Sequence, residues 1–276
     1  MEAMAQLRRD LKTFGCHVTH QAPAHSHDVR GWFLTSNSRE EVTMTVACWN
    51  INGLGSSLST YKPEYIAMIM QQDNIDIMIC TDTRHSQAYA RSIKKLFVKL
   101  LGVGTKVYCS KDPNRRTGEP GGITIIIGPQ WGPSYMSEDS RSDASGHGAL
   151  ARIHLRTDTG FMAILGTYWP EKPSDKSVSH RKGLWSRILE FRQQQKAHNP
   201  DPTVYIQELT LQWLAQDRQN GCQCSIIGGD MNSRWFSSDP GGQRSIKKWC
   251  EDNYLINGPR LIHDRFVPPP RGTRCY

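Results

Sequence analysis

Apolar, β-branched runs that break off at Asn, Asp or Tyr are the feature that most constrains this chain. Val42 to Trp49 ends at Asn50-Ile51-Asn52-Gly53, and Ile75 to Cys80 ends at Thr81-Asp82-Thr83-Arg84. Phe161 to Thr167 runs into Tyr168-Trp169-Pro170, and Cys224 to Ile227 runs into Gly228-Gly229-Asp230-Met231-Asn232. Such runs are the length and chemistry of buried strands, and the residues that stop them are turn formers. Any one of these polar ends has a plain explanation as a turn or a helix cap. Four in one chain point instead to a shared rim, because open α/β sheets place their sites at the carboxyl ends of strands.

Between the strands the apolar spacing changes from two to helical. Pro63 opens a helix that places Tyr65, Ile66, Ile69 and Met70 on one side and closes at Asp73-Asn74. The strand, helix, strand order around it predicts a parallel strand pair. A second helix is predicted from about Ser86 to Leu100, with Arg91, Lys94, Lys95 and Lys99 on its wet face. Two more are predicted at about 181–198 and 203–219, and a last one near 242–253. Ile123 to Ile127, Leu150 to Leu155 and Phe161 to Thr167 read as three strands in succession, joined as hairpins. Lys111 to Gly121 reads as a mobile loop. Sequential strands mixed with βαβ units predict an α/β fold, a two-sheet α/β sandwich flanked by helices. Residues 1–42 lack sustained periodicity and read as a disordered or loosely ordered extension, and 43–276 as the domain.

Composition narrows the chemistry. With 34 Lys and Arg against 26 Asp and Glu the chain carries +8, which favours encounter with a polyanion. It has no twenty-residue apolar stretch and a polar start, so no membrane span is expected; the expected location is inside the cell, the nucleus included. Cys48 and Cys80 sit in apolar runs, so reduced thiols are expected rather than a disulfide frame. Cys222 and Cys224 are one residue apart, on opposite faces of a strand, which does not make a zinc pair. The tract Cys16, His17, His20, His25, His27 reads as a solvated tail.

The polar strand ends also carry a resemblance. Cys48-Trp49-Asn50-Ile51-Asn52-Gly53-Leu54 resembles the first motif of the endonuclease/exonuclease/phosphatase superfamily. Thr81-Asp82-Thr83 stands where that family has Gln-Glu-Thr, and Gly121-Gly122-Ile123, Tyr168-Trp169-Pro170 and Gly229-Asp230-Met231-Asn232 resemble its later motifs, in order. Within the superfamily the Trp-Asn-x-Asn-Gly form is most similar to LINE-type retrotransposon endonucleases.

The resemblance implies a divalent-metal-dependent phosphodiesterase, with magnesium or manganese near Asn52 and Asp82 and with DNA as the expected partner. It implies that Asn50, Asp230 and Asn232 position or activate the attacking water and that Tyr168 touches the phosphate. Arg115 and Arg116, in the Gly- and Pro-rich loop, are the expected substrate-binding cations. The chemistry is coherent, because an anionic diester repels hydroxide until a hard cation on oxygen ligands offsets its charge.

The chain departs from the family at two places. Asp82 is one methylene shorter than the family's Glu. The closing Ser-x-x-Asp and Ser-Asp-His segments do not occur, and His263-Asp264 reads as a loop pair, so the last strands are expected to be missing. Two alternatives therefore stand beside the nuclease: a catalytically impaired remnant that keeps the fold and weak nucleic-acid binding, and a lipid phosphodiesterase, which the basic loops argue against. Oligomeric state is left open.

Overall fold

Among the described residues, ten strands form two packed sheets and four α-helices flank them. The computed structural model describes residues 16–19, 30–36, 42–54, 62–111, 118–172, 183–232, 249–250, 252–253 and 255. The strands are β1 (Cys16–Thr19), β2 (Arg30–Ser36), β3 (Val42–Asn50), β4 (Ile77–Thr81), β5 (Lys106–Cys109), β6 (Ile123–Ile127), β7 (Tyr135–Ser142), β8 (Leu150–Thr157), β9 (Gly160–Tyr168) and β10 (Cys222–Asp230). The helices are α1 (Lys62–Gln72), α2 (Gln87–Leu101), α3 (Leu184–Gln194) and α4 (Pro202–Gln219). The first sheet runs β1-β2-β3-β4-β6-β5 and the second β10-β9-β8-β7. This is the two-sheet α/β sandwich expected from the sequence, and β3 and β4 are the expected parallel pair.

The alternation of each central strand divides the core into three layers. In β4, Ile77 and Ile79 face the second sheet and pack with Ile125, Ile153 and Ile164. Met78 and Cys80 face the other way, under Ile66 and Ile69 of α1 and Ile93 and Phe97 of α2. On the outer side of the second sheet, Leu150 and Leu165 meet Leu184, Ile206 and Trp213 from α3 and α4. Period-two strands covered on both faces explain why the apolar runs are nearly continuous. Each fully buried Ile or Leu here contributes roughly 1.5–3 kcal/mol of transfer free energy.

Three expectations change. Ile123–Ile127 does not pair with β8; it lies between β4 and β5 in the first sheet, antiparallel to both. All five of its residues are buried, so a periodicity reading cannot tell which sheet it joins. β5 and β7 were not anticipated, the first because it is four residues long and the second because Tyr135–Ser142 is mostly polar, as an edge strand tolerates. Within the segment read as an extension, β1 pairs antiparallel with β2, and β2 antiparallel with β3. Their apolar content is too short and irregular to stand out without the partner strand. Most of the predicted last helix, and His263-Asp264 and everything after it, lie outside the described residues. Among the described residues no helix is long and apolar enough to cross a membrane.

The sheets come closest where glycines face each other's side chains. A Cβ on Gly166 would lie 2.7 Å from Ile123 Cγ2 and 3.0 Å from Ile79 Cγ2. One on Gly228 would run into Cys48 Sγ and sit 3.0 Å from Ile79 Cδ1. These glycines draw the carboxyl ends of β9 and β10 against those of β3 and β4, and so set up the site.

Candidate active site

The polar ends of β3, β4, β9 and β10 meet at one rim. β9 and β10 are parallel with Tyr168 opposite Asp230, and β3 and β4 are parallel with Asn50 opposite Thr81. A direct bond joins the two sheets there: Asn50 Nδ2 donates to Asp230 Oδ2 at 2.6 Å. The second carboxylate oxygen, Oδ1, accepts the Asn232 backbone N–H at 2.9 Å, and Asn232 Nδ2 donates to the Trp169 carbonyl at 2.8 Å. Asp230 is 1% exposed, so its orientation is set by these amides rather than by water.

Asp82 is equally buried and differently held. Arg84 donates from Nε and Nη2 to Asp82 Oδ2 at 3.0 and 2.7 Å, and the Gly121 N–H donates to Oδ1 at 2.8 Å. Hydrogen bonding to Asp82 is also the main reason the Arg84 guanidinium is raised above its ordinary value. The Gly121 segment is pinned in turn by Arg187 of α3, whose guanidinium donates to Glu119 and to the Pro120 carbonyl.

The loop after β3 is fixed by one ammonium. Lys62 Nζ donates to the carbonyls of Ile51, Asn52 and Gly53 at 2.7, 3.1 and 2.8 Å, which uses all three of its N–H groups. Asn52 is exposed, with its N–H on Asn50 Oδ1 at 3.1 Å.

Tyr168 reports that the two carboxylates share a neighbourhood. Burial first, then the charges of Asp82 and Asp230, push its hydroxyl far above the ordinary phenol value, while Arg84 and a hydrogen bond with the Asn232 side chain act the other way. The tyrosine is therefore a neutral hydroxyl at any physiological pH. Burial likewise pushes the Cys48 thiol up to about 12.

Backbone strain gathers at the same place. Of the six non-glycine residues with positive φ among the described residues, four are Asn52, Asp82, Arg84 and Asn232, at 46°, 51°, 53° and 42°. Asn and Asp tolerate this region, whereas a long side chain such as Arg84 pays for it with roughly 1–2 kcal/mol of strain. Such outliers persist where surrounding contacts over-determine them.

No protein-family model and no curated protein matches the chain. Among solved structures, an AP endonuclease from Archaeoglobus fulgidus is similar at a TM-score of 0.43 and 15% identity, over 79% of this chain and 67% of that one. TDP2 of D. rerio complexed with single strand DNA product follows at 0.42 and 10%, over 78% and 66%. The human Nocturnin catalytic domain with bound sulfate anion follows at 0.40 and 14%, over 80% and 69%. The chain thus spans about two thirds of the length of each. These are partial likenesses at low identity, and they say nothing of what this chain does.

Whether the rim could hold a cation is a question of donors. Asp82 and Asp230 each bring a buried carboxylate to the rim, with Oδ1 of Asp82 accepting one bond, from the Gly121 N–H, and Asn52 adds an amide oxygen. Among the described residues no three His, Cys, Asp or Glu side chains cluster as a ready-made cage. An oxygen set with one or two carboxylates and room for water fits magnesium or manganese.

Of the residues singled out in the sequence, the structure brings together Asn50, Asp82, Tyr168, Asp230 and Asn232, with Asn52 beside them. Arg115 and Arg116 lie outside the described residues. Arg84, Lys62 and Arg187 were missed as parts of the site. Arg84 had one signal, its place two residues beyond Asp82; the other two act across 9 to 11 and 67 to 68 positions, and no local pattern reveals that.

Proposed function

We propose that this chain is a metal-dependent phosphodiester hydrolase of the endonuclease/exonuclease/phosphatase type that cuts DNA, of LINE-type retrotransposon origin. The observation that supports the reading is the bond across the sheets from Asn50 to Asp230, with Asn50 standing opposite Thr81, next to Asp82, and Tyr168 opposite Asp230. Two buried carboxylates held in different ways can take different roles, one near a cation and one near water.

Asp230 is the base in this reading. Its two oxygens are steered by Asn50 and by the Asn232 amide, so it meets an attacking water in a fixed orientation and accepts the proton. Asn50 and Asn232 hold that geometry without adding charge. Tyr168 keeps its proton and donates a hydrogen bond to a non-bridging phosphate oxygen. Asp82 and Asn52 would hold magnesium or manganese, which would supply positive charge to offset that of the diester. Arg115 and Arg116 fit the role of backbone contacts in the flanking loop, and the charge of +8 favours approach of the polyanion.

Incubation with supercoiled plasmid tests this. Nicking is expected with magnesium, lost with a chelator and regained when magnesium is returned in excess. Nicking that persists unchanged in the chelator contradicts the metal-dependent reading.

A further inference from the structure

Arg84 is a charged group at the rim for which the reaction above has no use. Its stem crosses Gly53, whose position would place a Cβ only 3.5 Å from Arg84 Cδ, so the side chain lies between the loops after β3 and β4. Two of its five N–H groups are spent on Asp82 Oδ2, which leaves three. No partner for these three occurs among the described residues, and the side chain is 34% exposed. Arg84 also acts on the Tyr168 hydroxyl electrostatically, which puts it in the same neighbourhood as the reacting groups.

We infer that Arg84 is a phosphate-binding residue: Asp82 clamps its inner edge, and its outer edge takes a non-bridging oxygen pair of the diester. The assignment rests on the hydrolase reading and deepens it by naming a substrate contact. The physical case is one of charge and geometry. An anionic diester approaching two carboxylates is repelled by both, and a guanidinium on Asp82 cancels one of those charges before substrate arrives. A planar fork fixed on one edge also presents the other edge with little further loss of rotamer freedom, which suits bidentate phosphate recognition. The positive φ of Arg84 is the conformational cost of aiming it so.

The test measures binding, without metal, by anisotropy of a fluorescein-labelled DNA duplex in the presence of a chelator and across a salt series. Removing Arg84 alone would strand the buried Asp82, so the informative pair is Asp82→Asn against Asp82→Asn/Arg84→Gln. The single variant is expected to bind DNA at least as tightly as wild type. The double variant is expected to bind about tenfold more weakly, the scale of a lost charged hydrogen bond, and to lose about one unit of salt slope. Arg84→Lys should keep the slope and lose part of the affinity, because the charge stays while the fork does not. A urea melt of each variant establishes that it is folded. Equal affinity of single and double variants, with wild type still nicking plasmid, overturns the Arg84 assignment and leaves the hydrolase standing. A wild type that neither binds nor nicks overturns both.

Discussion

At the scale of single residues, the site depends as much on what is absent as on what is present. Gly228 stands two positions before Asp230, where its missing Cβ makes room for Cys48 Sγ and Ile79. Gly228→Ala should therefore push the sheets apart and cost about 2 kcal/mol, the usual scale for overpacking. Urea unfolding of Gly228→Ala and of Gly228→Ala/Cys48→Ala checks it: the second change removes the obstructing sulfur and should recover part of the loss. Equal destabilisation of both variants would show that the clash is elsewhere. The polar residues Asn50, Asp82, Tyr168, Asp230 and Asn232 were legible in the sequence because each lies in the short polar segment that ends an apolar run. Arg84 was not, because its role depends on the buried carboxylate that it clamps.

At the scale of elements, helices were easier to place than strands. Helix α4 illustrates why: Pro202 in its first turn and Asp201 as cap, accepting from the Thr203 and Val204 N–H groups, mark its start from local residues alone. Strand partners carry no such local mark, and so β6 was expected in a hairpin with β8 but pairs with β4 and β5. A buried charge cluster fastens α4 to β8. Asp217 is fully buried and accepts from Arg152 Nη1 and meets His154 Nε2 at 3.1 Å, while Arg141 and Arg152 lie over the Trp213 ring at 4.6 and 5.5 Å. Arg152→Met alone leaves a buried carboxylate short of its main counter-charge, and about 3 kcal/mol should be lost. Arg152→Met/Asp217→Leu should lose less than that single change. Denaturant titration separates the cases, and a double variant worse than the sum of the two singles would mean that the cluster is held by more than its charges.

At the scale of the whole molecule, two sheets with different connectivities deliver their strand ends to one rim. The architecture was readable from the sequence because alternating strands with intervening helices admit few packings, while the close approach of the sheets was not, since it depends on Gly166 and Gly228 meeting side chains far away in the chain. The central claim is that Asp82 and Asp230 serve a single reaction. Groups that act as a unit lose activity together, so their effects do not multiply. The decisive measurement is plasmid nicking by wild type, Asp82→Asn, Asp230→Asn and the double variant at fixed magnesium. Each single change is expected to cost about a hundredfold or more, with the double close to the worse single. A single variant that nicks at the wild-type rate, or a double whose loss is the product of the two, would contradict the shared centre.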